Sequence, residues 1–482
     1  MSRNFPAATP PAAGRVYTPP AGRVYTHAER LRVIAGILMC TLLTALDQTV
    51  VLPAIPQMAA TLSGGGQLSW VVSAYLLTNT ATTPIYGKLS DQMGRRAVLA
   101  PALVFFILAS VLCALADSVP MLIAGRALQG LGGGALMAVA QSAVADVIPP
   151  RERGRYQAFF AGTWAFSSIA GPIAGGFITQ HLSWRYIFWA NLPLGLLALG
   201  LSWRGLAGLV PTGARGRIDY AGAALVLFSV GALLLALSAG GVDFPWVSAP
   251  EAGIFAAGAV GLAVLVWQQR RATAPLLPGA LLARPAYRDV LLVSGLNSAA
   301  LIGAVFLLPL LLQWLYRQSP SAAGLDVVPL LFTTTIGAFA AGQVTRRTGG
   351  VRPVILAGLV VAGVAFALLA AAPGAGGLVY PVGVSGLAGL GMGCLMPSTL
   401  IAAQSQAARG DVGAATGTLL LARALGGAFG ATMAGAFLAI ARENLVHGFR
   451  QGFFACAVVQ AVAALLAWRM QDVQLRNTVE AG

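Results

Sequence analysis

Apolar runs of about 18 to 25 residues recur along almost the whole chain, and each can cross a hydrocarbon core of about 30 Å at 1.5 Å per residue. Within a bilayer every backbone amide and carbonyl must find its partner inside the protein, so such runs fold as helices. Composition agrees: mean hydropathy is +0.78, 57% of the 482 residues are hydrophobic and only 9% are charged. A soluble domain carries about 25% charged residues. The expected fold class is an all-α polytopic membrane protein.

The runs and their breaks predict fourteen spans, from 33–57 to 452–468, with 70–87, 157–179, 220–239, 252–268 and 412–440 among them. A formal charge of +15 would suggest nucleic acid in a soluble chain, but in a membrane chain basic residues gather in cytoplasmic loops and set orientation. Alternate loops divide unequally. One set holds Arg185, Arg317, Arg442 and Arg450, Arg126 and Arg423 lie inside spans, and all other Lys and Arg fall on the side of the N-terminal tail. This predicts an even number of spans with both termini cytoplasmic.

The expected organisation is a disordered tail over 1–32, a six-helix bundle over 33–204, two inserted helices with linkers over 205–289, a second six-helix bundle over 290–470 and a C-terminal tail over 471–482. The tail repeats "AGRVYT" at 13–18 and 21–26 and is rich in Pro, Ala and Arg. The four cysteines all fall in apolar runs, with no CxxC or His/Cys cluster, so buried thiols are expected and no metal or cofactor. There is no GxxxxGK[ST] motif, so no nucleotide-binding site of that kind is expected.

Five stretches carry a resemblance: "LDQTVVLPAIP" (46–56), "GKLSDQMGRR" (87–96), "RALQGLGGGA" (126–135), "SSIAGPIAGGFI" (167–178) and "WRYIFWANLPLG" (184–195). In this order they resemble the major facilitator superfamily, and within it the fourteen-helix drug:proton antiporters. The resemblance implies a proton-coupled antiporter that exports lipophilic, drug-like or cationic compounds by alternating access between two bundles. Its partners would be protons, a lipophilic small molecule and the lipid bilayer, without nucleic acid. It would be no enzyme, would work as a monomer, and would lie in the plasma membrane, here a bacterial inner membrane. Export of a dedicated endogenous lipid or metabolite, or a non-transporting sensor on this scaffold, are the alternatives.

Residue roles follow in the same terms. Asp47, well inside the first span, is expected to face the bundle interior and to bind and release a proton, because a central Asp costs about 2.5 to 3.5 kcal/mol in a membrane. Arg126 would couple to it; whether the two touch is open. Gly87, Asp91, Gly94 and Arg95 would form a conformational latch, Asp91 bracing the start of span 13 near Gly410. Arg346 stands in the place of Asp91 in the second copy, "GQVTRRTGGVR" (342–352), so no second carboxylate latch is expected. Gly171, Pro172, Gly175 and Gly176 would form the antiporter helix kink. Tyr75, Asn79, Gln129, Trp164, Asn297, Gln313 and Gln404 are candidate substrate contacts. For Arg423, contact with the central cavity and helix pairing both stay open.

The energetics bear on the substrate. At about 100 mV and one pH unit, an entering proton carries roughly 3.7 kcal/mol, enough for a ratio of about 500 for a neutral compound. A monovalent cation exchanged one for one moves no net charge and gains only about tenfold. Efficient cation export would therefore need a second acid, for which Asp326 is the candidate.

Overall fold

The computed structural model describes residues 26–62, 68–209, 218–240, 245, 248–440 and 444–471. Most of the expected N-terminal tail (1–25), nearly all of the C-terminal tail (472–482) and Arg442 lie outside the described residues. Fourteen long helices run in chain order: α1 (His27–Val50), α2 (Ser69–Met93), α3 (Arg95–Ala114), α4 (Val119–Val147), α5 (Pro150–His181), α6 (Arg185–Gly205), α7 (Tyr220–Ala239), α8 (Ala249–Arg271), α9 (Pro285–Leu315), α10 (Val328–Thr348), α11 (Arg352–Ala371), α12 (Val379–Gln406), α13 (Val412–Ile440) and α14 (Leu445–Arg469). No β-strand occurs among the described residues.

Among the described residues, twelve membrane-span candidates are apolar enough, by length and composition, to cross a membrane; α2 and α5, both expected as spans, are not among them. The reason is local. α2 carries Tyr75, Thr78, Asn79, Thr82 and Thr83 in its middle, α5 opens on the charged turn Arg151–Arg155, and both helices pack against the other half of the molecule.

Helix ends extend past the apolar runs, since hydropathy registers only the part that meets lipid. α1 starts at His27, inside the expected tail, where Thr26 and Glu29 form a capping box: the Glu29 amide donates to Thr26 Oγ1 at 3.3 Å and the Thr26 amide to Glu29 Oε2 at 2.9 Å. α2 ends at Gly94, whose φ of 94° few side chains adopt, so the chain turns directly into α3.

Helices α1–α6 share two apolar clusters, one around Ile37, Leu99, Phe106 and Leu136, the other around Val51, Val119 and Phe188. Helices α9–α14 share two more, around Leu307, Phe366 and Phe453, and around Val290, Ile355 and Ile401. α7 and α8 pack on each other, and α7 also rests on α2 and α13, through Val226, Val230, Leu265 and Ala81. Large apolar side chains stay exposed in stripes: Phe159, Phe166 and Ile173 on α5, seven residues apart, and Phe454, Val458 and Val462 on α14, four apart. One helix face of such residues is a lipid-facing surface. Cys40, Cys113 and Cys456 are buried and Cys394 is half-buried; all four are free thiols.

Candidate functional site

The glycines of "RALQGLGGGA" let α2 lie directly on α4. A Cβ at Gly130 would come within 2.4 Å of the Tyr75 carbonyl oxygen, and one at Gly134 within 2.7 Å of that of Asn79. This contact seats the Tyr75 ring beside Arg126. Arg126 and Gln129, three residues apart on one face of α4, then meet Asp47 on α1.

All three side chains are buried. Arg126 Nη1 lies 2.7 Å from Asp47 Oδ2, and Asp47 Oδ1 accepts from Gln129 Nε2 at 2.9 Å and Asn191 Nδ2 at 2.8 Å. Arg126 also donates to Gln129 Oε1 (2.5 Å) and to the Val71 carbonyl (3.1 Å), and stacks 4.2 Å over the Tyr75 ring. Gln129 Nε2 reaches Ser110 Oγ at 2.7 Å. Three donors, one of them a guanidinium, thus converge on the buried Asp47 carboxylate. The Tyr75 hydroxyl, with Asn79 and Gln48 nearby, makes no well-aligned hydrogen bond among the described residues. Sequence reasoning missed Asn191 and Ser110, although an amide in the apolar run "WANLPLG" is itself a signal.

The second cluster joins the two halves. Asp91 accepts from the amides of Gly413 (2.9 Å) and Ala414 (3.0 Å) at the start of α13, three to four residues beyond the expected contact at Gly410. Arg95 holds Asp91 at 2.8 Å and, by its Nε, Asp146 of α4 at 2.8 Å. Beside them Lys88 pairs with Asp411 at 2.7 Å. Glycine makes this approach feasible: a Cβ on Gly87 would stand 2.2 Å from the Gly413 carbonyl oxygen. The second copy repeats the glycine contact without the carboxylate. A Cβ on Gly342 would be 2.4 Å from the backbone of Gly154, so α10 and α5 meet as closely as α2 and α13. Arg96 takes no part in the latch and stacks on Trp203 at 3.6 Å.

In α5, Gly171 and Gly175 face α1, where a Cβ would come within 2.0 Å of Thr49 Oγ1 and 2.3 Å of the Val50 carbonyl oxygen. Pro172 is exposed, and Gly176 has nothing within 4 Å of its Cβ position. The expected substrate contacts divide. Tyr75 and Gln129 adjoin Asp47 and Arg126, and Asn79 lies beside the Tyr75 hydroxyl. Gln404 instead bridges the halves, donating to the Gln141 carbonyl at 3.2 Å and accepting from Arg153 at 3.4 Å. Asn297 is buried in the second half and accepts from Gln460 at 3.3 Å; Trp164 and Gln313 are half-buried on α5 and α9. Asp326 lies outside α10 and accepts from Gln318 at 2.7 Å. Arg423 donates to Ser294 Oγ (2.8 Å), Thr399 Oγ1 (2.9 Å) and the Met396 carbonyl (2.6 Å).

The profile of the Major Facilitator Superfamily matches residues 37–431. The chain is 33% identical over 419 residues to the multidrug transporter protein MdtP of Bacillus subtilis, covering 87% of this chain and 77% of that one. It is 33% identical over 411 residues to the uncharacterized MFS-type transporter Rv1877 of Mycobacterium tuberculosis, covering 84% of this chain but 59% of that longer protein. Among solved structures, the proton:xylose symporter XylE superposes with a TM-score of 0.66 at 16% identity, over 93% of this chain and 97% of the symporter.

Proposed function

Since the chain belongs to the Major Facilitator Superfamily, whose members are transporters and not enzymes, we propose that it is a proton-coupled antiporter exporting lipophilic, drug-like compounds. All fourteen helices span the plasma membrane with both termini cytoplasmic. Helices α1–α6 and α9–α14 act as two bundles that alternate access, α7 and α8 being an inserted pair, and one chain suffices. The glycine contacts and the Asp91 latch then close the cytoplasmic end, so this conformation opens outward.

The observation that carries this reading is Asp47, bound by Arg126, Gln129 and Asn191. A proton on either carboxylate oxygen displaces a donor, so protonation and the packing of α1, α4 and α6 change together. That linkage is what coupling needs: a ligand shifts a conformational equilibrium only by its differential binding to the two states. MdtP, by its name a multidrug transporter, supports drug-like cargo.

Everted membrane vesicles energised by respiration test it, with lumen pH followed by a dye as lipophilic compounds are added. Wild type is expected to release protons on addition and Asp47→Asn is not. Correctly inserted wild type that gives no response across a broad panel would overturn the reading.

A further inference from the structure

We infer that Arg423, with Ser294 and Thr399, forms an anion-binding site in the second half that takes a carboxylate or sulfonate of the exported compound. This rests on the transport reading above. Both halves hold an arginine within a helix, but only one is neutralised. Arg126 has Asp47; Arg423 has two hydroxyls and a backbone carbonyl, and no carboxylate within ion-pairing distance among the described residues. Its Nη1 makes no hydrogen bond among those residues.

The surroundings are built to hold the guanidinium in place. Ser294 and Thr399 are buried and lie 3.2 Å apart, so the cradle is fixed before any ligand arrives. Ser294, Asn297 and Ser298 share one face of α9, extending the polar surface. α13 packs against α2, α4, α7, α9, α12 and α14, and Arg423 on it is half-buried. Arg423 lies ten residues beyond Gly413, roughly 15 Å from the latch by helical rise and so near the middle of the membrane. An arginine at that depth is costly and usually serves an ion or substrate path. Its planar fork suits a carboxylate or sulfonate.

The carboxylate inventory points the same way. Among the described residues, Arg126 is the only charged side chain that pairs or hydrogen-bonds with Asp47, and Asp326 is held by Gln318 in the second half. The second acid that efficient cation export needs is therefore not found beside Asp47. A monoanion needs none. Exchanged for one proton it moves two charges with the membrane potential, and at about 100 mV and one pH unit the attainable ratio is on the order of 10⁴.

The test measures binding to the full chain in lipid nanodiscs without a gradient. The probes are radiolabelled 2-naphthoate, 2-naphthamide and 2-naphthyltrimethylammonium, which share a ring system and differ in charge. Wild type is expected to bind the carboxylate at least about tenfold more tightly than the amide, and the ammonium most weakly. Arg423→Gln should bring carboxylate and amide to within about twofold. Thr399→Asp keeps the arginine and gives it an internal counter-ion, so it should erase the preference even if loss of Arg423 disturbs folding. Equal binding of the three probes by wild type, or a preference that survives both variants, overturns the inference. Proton-coupled export of cations without carboxylate preference would leave the transport reading standing and sink this one; carboxylate preference without proton coupling would do the reverse.

Discussion

Gly87→Val is expected to hold the molecule open at the end that α2 and α13 now close, and to reduce transport to less than about a tenth of wild type. The first atom of the new side chain would stand 2.2 Å from the Gly413 carbonyl oxygen and 2.9 Å from its carbon, so backbone rather than a flexible side chain would have to yield. Overpacking of this kind costs typically 1 to 3 kcal/mol, about 3 at a backbone overlap. A carboxylate at a helix N-terminus contributes up to about 2 kcal/mol. The overlap outweighs Asp91, and the seam opens instead of compressing. Thr83, 5% exposed and beside Gly417 in the same contact, reads this out. As Thr83→Cys it should resist an impermeant maleimide in the parent and react readily with Gly87→Val present. Gly200→Ala is the matched control, since nothing lies within 4 Å of that Cβ position, and it should transport normally. Unchanged labelling with Gly87→Val would show that the glycine contact does not govern closure.

Arg126→Met should destabilise the protein by about 3 to 5 kcal/mol, the range for removing one partner of a buried ion pair. The size comes from what stays behind. Asp47 would keep Gln129 and Asn191 but lose its only charged partner among the described residues, at a site that water does not reach. Asp47→Asn/Arg126→Met removes both charges and should recover most of the loss, because a buried pair taken out together can be nearly neutral. Unfolding of the purified variants in detergent by denaturant measures both. If the single and double variants are equally unstable, packing of the Arg126 stem over Tyr75 matters more than its charge. The double variant should also be stable yet uncoupled, which separates folding from function.

Much of this was legible in the sequence, for reasons that differ between elements. Twelve of the long helices are readable because lipid imposes length and apolarity on each, but their ends are not, and α2 and α5 are too polar to meet that standard. His27–Arg32 extends α1 below the apolar run through a capping box, a local signal in polar residues that hydropathy does not weigh. Asp47 and Arg126 stand out as charges in apolar runs, and the structure adds their contact, which needs the glycines of α4 to bring helices together. Partners without charge stayed hidden: Asn191, Ser110, Ser294 and Thr399 look like ordinary polar residues until packing converges them. Gln404, a candidate substrate contact, bonds to Gln141 and Arg153 at the join between the halves, a placement that only the packing reveals.

Lys88 is the only lysine in the chain. It lies in the seam, 19% exposed and paired with Asp411 across the two halves. Closure therefore hides the one side-chain amine the molecule owns, and opening presents it. For the proposed alternating cycle, an amine-selective ester aimed at Lys88 becomes a chemical clock in the unaltered protein, and no engineered label is needed to time the gate.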